Sequence, residues 1–102
     1  MINKKTSMID LNEKYISFIK ETVYHYLQNC EIYLFGSRTK GTAKKYSDID
    51  IALKSPNLNE NILLKIINDF ENSTLPYEVD VLDLNNISET FRQHIEQDLT
   101  QI

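Results

Sequence analysis

The chain has 102 residues, enough for one domain of ordinary size and too few for a second. With 41% hydrophobic residues, two glycines, two prolines and 25% charged residues, it is neither a disordered nor a fibrous chain. Fifteen acidic against eleven basic side chains leave a net charge of −4, which repels polyanions, so direct nucleic-acid binding is not expected.

In chain order, the polar segment 1–8 has no apolar leader core, and no apolar run approaches bilayer length. From Leu11 through Tyr15, Phe18, Ile19, Val23, Tyr26, Leu27 and Cys30, apolar residues return mainly every three or four positions, which predicts an amphipathic helix. Asp10 and Glu13 have the spacing of a capping box at its start. Glu31 to Phe35 reads as a first strand, cut off at Gly36, and Ile49 to Lys54 as a second. Leu58, Ile62, Leu63, Ile66, Ile67 and Phe70 predict a helix after Ser55-Pro56. Tyr77 to Leu84, rich in Val and Leu, reads as a third strand. Phe91, Ile95, Leu99 and Ile102 predict a closing helix from Ser88 onward. The order implies a single small α/β domain over residues 1–102, with its sheet near the sequence centre. The lone Cys30 forms no intramolecular disulfide and no Cys/His cluster has zinc spacing, so the expected setting is reducing and cytoplasmic.

Candidate chemistry begins at Gly36-Ser37-Arg38-Thr39-Lys40-Gly41, where a turn after a strand can offer backbone N–H groups to an anion. Its spacing fits neither the P-loop nor the dinucleotide fingerprint. Arg38, Lys40, Lys44 and Lys45 form a local basic cluster suited to phosphates, or else a solvated loop. Further on, Asp48 and Asp50 stand at i and i+2 at the second strand and so share one face. Paired carboxylates repel unless a cation lies between them, and their oxygens suit Mg²⁺; a turn cap at Asp48 and a solvated Asp50 are the plainer alternative. Asp80 interrupts the apolar third strand. If that strand adjoins the second, Asp48, Asp50 and Asp80 can converge as ligands of a two-metal site. Asp83 competes for the third place, but alternation puts it with Val79 and Val81 on the opposite face. His25, His94 and Cys30 read as structural or surface residues, and Tyr15, Tyr24, Tyr26 and Tyr33 as packing.

Gly36-Ser37, ten residues, then Asp48-x-Asp50 resembles the signature of the DNA polymerase beta superfamily, in particular its minimal nucleotidyltransferases. The resemblance spans nearly the whole chain. It implies the minimal nucleotidyltransferase fold, a mostly three-stranded mixed sheet flanked by helices. It also implies catalysis and metal binding by Asp48, Asp50 and Asp80, phosphate binding at Gly36 and Ser37 with Arg38 beside them, two Mg²⁺ ions, and ATP as substrate. Thr39 departs from the Ala common in the family, near the phosphates. Minimal nucleotidyltransferases are typically antitoxins of HEPN-domain ribonuclease toxins, and the implied acceptor is a toxin tyrosine. Inhibition by binding alone, and transfer to a small molecule, are the alternatives.

Overall fold

The computed structural model describes residues 9–102, so the reading of segment 1–8 lies outside the described residues. The first helix, α1, spans Glu13–Tyr26 and buries Ile19 and Val23. Its cap is Asn12, whose side chain accepts from the Lys14 amide at 3.0 Å, not the expected Asp10/Glu13 box. Asp10 is engaged elsewhere: its amide donates to the Arg38 carbonyl at 2.8 Å and its own carbonyl accepts from the Arg38 guanidinium. Strand β1, Glu31–Phe35, is followed by a single helical turn, α2, at Ser37–Lys40. Strand β2 is Ile49–Lys54. Helix α3, Glu60–Glu71, starts on Asn59, which accepts from the Ile62 amide at 2.9 Å. Strand β3 is Val79–Asp83, shorter at both ends than the sequence pattern, and α4 is Glu89–Ile95, capped by Ser88, the residue from which the closing helix was expected.

With a short last strand, β4, at Thr100–Gln101, the sheet runs β3-β2-β1-β4, with β1 antiparallel to β2 and β2 parallel to β3. The parallel pair requires a crossover, which α3 supplies. Ile32, Leu34, Ile49, Ile51 and Leu53 point to one sheet face and are fully buried against Ile19 and Val23 of α1 and Ile66 and Phe70 of α3. The alternate residues Tyr33, Phe35, Ala52 and Leu82 form a smaller cluster with Leu84 and Ile95. The candidate carboxylates lie beyond this second cluster, at one end of the sheet.

The closing helix is shorter than its apolar spacing implies, and the sheet has a fourth strand. After α4 and a 3₁₀ turn at Glu96–Asp98, the chain extends, and β4, Thr100–Gln101, pairs with Leu34 and Tyr33 of β1. Leu99 and Ile102 are still drawn to apolar neighbours, but from extended backbone. The unpaired edge of β1 overrides the helical period: the Ile102 amide donates to the Ile32 carbonyl at 3.0 Å. Among the described residues no helix is long and apolar enough to cross a membrane.

Candidate active site

Three strand ends meet at the site. Strand β1 stops at Gly36 because its backbone turns to φ 78°, ψ −152°, a region open in practice only to glycine. The chain then makes the one turn of α2 and leaves through Gly41 in the left-handed conformation, φ 75°. Within the turn, the Gly36 carbonyl accepts from both the Thr39 amide (3.0 Å) and the Thr39 hydroxyl (2.9 Å). Thr39 thus braces the turn. Ser37, as first residue of the turn, has an amide with no intrahelical acceptor.

Asp50 stands at the centre. It pairs with Phe35 across the antiparallel ladder and with Asp80 across the parallel one. Burial pushes its carboxyl pKa up to about 6; the Asp80 charge, the Asp48 charge and a hydrogen bond with Asp80 act in the same direction. Gly36 lies directly against it, with no room between them for a side chain. Asp48, exposed, enters β2 from a tight turn in which the Ser47 amide donates to the Lys44 carbonyl (3.1 Å) and the Lys44 amide to the Ser47 hydroxyl (2.7 Å). The expected juxtaposition of β2 and β3 is therefore present. Among the described residues, however, no three Asp, Glu, His or Cys side chains close into a ready-made metal cage. Asp50 and Asp80 are the adjoining pair, and Asp48 flanks them.

Asp83 does not join this group. It is level with Leu53, three residues along β3, and its side chain accepts from the Asn85 amide at 2.9 Å, capping a 3₁₀ turn. A cavity of about 410 Å³ opens beside Asp80 at the start of β3, floored by Phe70, Leu75, Tyr77 and Val79 and rimmed by Glu78.

Arg38 was expected to contact phosphate, but its hydrogen bonds lead to backbone carbonyls. Its side chain is turned into the protein, 5% exposed, and donates to the Asp10 and Ser47 carbonyls, each at 2.9 Å. The guanidinium also lies 4.6 Å from the Tyr77 ring centre. Of the other cations, Lys40 pairs with Asp98 at 3.2 Å and Lys45 lies over Tyr46. Sequence reasoning did not single out Asp10 or Tyr77 as partners of Arg38. An aromatic three residues before Asp80 is a weak signal for Tyr77, and the cap-like spacing of Asp10 points to α1 and not to Arg38.

The remaining candidates lie apart from the three carboxylates. Cys30 packs against the core and burial pushes its thiol pKa up, away from the reactive thiolate. Tyr15 meets Tyr77 edge-on, the Tyr26 hydroxyl donates to Asp69 at 2.6 Å, and the Tyr33 hydroxyl to Glu31. His25 packs edge-on against Tyr26 on α1, and His94 lies on α4.

Residues 17–102 match the family described as polymerase beta, nucleotidyltransferase. The chain belongs to that family. Among relatives of this nucleotidyltransferase, a probable protein adenylyltransferase MntA of Haemophilus influenzae is 33% identical over 90 residues, covering 87% of this chain and 79% of that protein. A crystal structure of a toxin–antitoxin with AMP-PNP superposes with a TM-score of 0.71 at 30% identity, covering 89% of this chain and 72% of the other. The structure of a tri-AMPylated Shewanella oneidensis HEPN toxin in complex with MNT antitoxin gives a TM-score of 0.63 at 26% identity, with coverages of 83% and 66%. The nucleotidyltransferase shares their mixed α/β architecture.

Proposed function

We propose that residues 1–102 act as a single nucleotidyltransferase domain that moves AMP from ATP to a hydroxyl of a HEPN ribonuclease toxin, a tyrosine, and so serves as its antitoxin in the cytoplasm. The observation that carries this reading is the register Asp50–Asp80 set against Gly36, which puts a carboxylate pair beside an anion-accepting turn. The toxin as acceptor follows from the adenylyltransferase and HEPN toxin named for similar proteins.

The residues present fit a divalent cation. Asp50 and Asp80 stand level on adjoining strands with Asp48 two residues before Asp50, and carboxylate oxygens are the donors Mg²⁺ prefers. Asp48, Asp50 and Asp80 would hold the metal, two ions in our reading. When bound, Mg²⁺ neutralises phosphate charge and polarises the α-phosphorus for attack. The chain's own part is positional. The turn at Gly36 and Ser37 receives the phosphates through backbone N–H groups, and Asp80 orients the acceptor hydroxyl and takes its proton. The acceptor oxygen bonds to the α-phosphorus, the bond to the bridging oxygen breaks, and pyrophosphate leaves.

Mass spectrometry of the toxin after incubation with this protein, ATP and Mg²⁺ tests the reading. Each transferred AMP adds about 329 Da as a covalent modification. A toxin that stays unmodified yet is inhibited equally by wild type and by Asp48→Asn/Asp50→Asn would establish inhibition by binding alone.

A further inference from the structure

We infer that Arg38 is the positioning residue of this site: its buried guanidinium fixes the Asp48 loop and the approach to Asp80 relative to the Gly36 turn. The inference rests on the proposed reading of the carboxylates as metal ligands, and it replaces phosphate contact as the role of Arg38.

The geometry joins all three strand ends in one side chain. Arg38 belongs to α2, the turn that Gly36 begins. Its Nη2 donates to the carbonyl of Ser47, the residue before Asp48, at 2.9 Å. Its Cζ lies 4.6 Å from the ring centre of Tyr77, three residues before Asp80. Its Nη1 donates to the Asp10 carbonyl, and the Asp10 amide returns a bond to the Arg38 carbonyl at 2.8 Å. That reciprocal pair anchors the clamp to the segment entering α1. The Ile49 amide donates to the Glu78 carbonyl at 2.9 Å, so the two strand entries that Arg38 touches are also bonded to each other.

This arrangement needs an arginine. A planar guanidinium can donate in two directions while its face lies on an aromatic ring, whereas a lysine ammonium on a flexible stem cannot satisfy both carbonyls and the ring together. Among the described residues Arg38 has no carboxylate partner, and its Nε is buried without a hydrogen bond. A buried cation held only by carbonyls and a ring is an expensive way to fasten a loop. Its position explains the expense: the loop so fastened carries Asp48, and the strand entry carries Asp80. Support of this kind typically tunes metal affinity by about 10–100-fold.

Arg38→Lys is the test, with Tyr77→Leu as a second variant that removes the ring beside the guanidinium, and with it the edge-on contact to Tyr15, while leaving both carbonyl acceptors in place. Mn²⁺ binding in the presence of ATP is followed by electron paramagnetic resonance, ATP affinity by calorimetry, and amide exchange over residues 44–50 by mass spectrometry. Arg38→Lys is expected to weaken Mn²⁺ at least about tenfold at unchanged stoichiometry. Exchange in the 44–50 loop should quicken while β1 and α1 stay protected, and Tyr77→Leu should fall in between. A purely structural role would instead lower the number of Mn²⁺ sites with the folded fraction, leave the affinity of the rest intact, and speed exchange everywhere. Selective loss of ATP affinity would restore the phosphate-contact role and overturn the inference, as would wild-type exchange in the loop. The exchange measurement reads the clamp even if AMP transfer proves absent, so failure of the enzymatic reading is separable from failure of this one.

Discussion

A Cβ placed on Gly36 would fall onto Oδ2 of Asp50 and lie 3.2 Å from its Cγ. The glycine is thus required twice, once for its φ of 78° and once for the carboxylate that occupies the space a side chain would need. The same contact brings the proposed phosphate-binding turn against the proposed metal ligand.

Gly36→Ala is therefore expected to cost about 1–3 kcal/mol of stability through backbone strain alone. By displacing Asp50 it should also reduce AMP transfer at least about 100-fold, the penalty for a misplaced catalytic group. Gly41→Ala is the control. It has a similar φ of 75°, but among the described residues nothing lies within 4 Å of its added Cβ. It should cost about 1–2 kcal/mol and leave the rate per folded molecule unchanged. Thermal melts and transfer assays on both variants check the contrast.

Asp50 gives the fold a pH dependence of defined sign. Its folded pKa is raised from 3.8 to about 6, so its favourable contribution is fully present below the unfolded value and is lost as pH rises through about 6. In EDTA, Asp50→Asn should accordingly melt higher than wild type at pH 8 and no higher at pH 3.5. Solvent reaches this half-buried carboxyl, which discounts the gain to on the order of 1 kcal/mol. That corresponds to a rise of about 4–8 °C for a domain of this size. A variant stabilised equally at both pH values would refute the electrostatic cause.

What the sequence discloses follows the range of the forces involved. Strands β1 and β2 keep the bounds their patterns imply, because Ile32 and Leu34, and Ile49, Ile51 and Leu53, alternate into a buried face and Gly36 ends the first run. The facing of Asp80 follows from the same alternation. Asp10 and β4 were hidden for the opposite reason. Asp10 has a suitable spacing for a cap but is taken by Arg38, 28 residues away. Phe91, Ile95, Leu99 and Ile102 satisfy a helical period locally, while the edge of β1 that claims Thr100 and Gln101 lies more than sixty residues upstream. Arg38 is not assignable from the sequence because a basic residue beside a glycine turn carries the same local signal whether it faces phosphate or the interior.

The two acidic residues of β3 should separate cleanly. Asp80→Asn removes a carboxylate level with Asp50 and should abolish transfer while the fold persists. Asp83→Asn keeps an acceptor for the Asn85 amide and should be nearly silent. Asp83→Ala, which deletes that cap, should cost about 1 kcal/mol without changing the rate per folded molecule. Loss of activity at Asp83 with full activity at Asp80 would reverse the facing assigned to the strand.

The last prediction concerns the metal and follows from where the positive charge is spent. Two cations of the turn are committed: the Arg38 guanidinium to backbone carbonyls and the Tyr77 ring, and Lys40 to Asp98 at 3.2 Å. A triphosphate approaching Asp48, Asp50 and Asp80 consequently meets like charge, and relief must come from a cation brought from solution. Calorimetry should give ATP binding in Mg²⁺ that weakens on the order of 100-fold in EDTA, the range over which coupled ligands commonly act. The Mg²⁺ effect should largely vanish in Asp48→Asn/Asp50→Asn. With two negative charges gone, this variant should bind ATP at least as well as wild type in EDTA, yet gain little from Mg²⁺. Equal wild-type affinity in Mg²⁺ and in EDTA would remove the metal from these carboxylates, whereas a double variant that still responds fully to Mg²⁺ would place it on other residues.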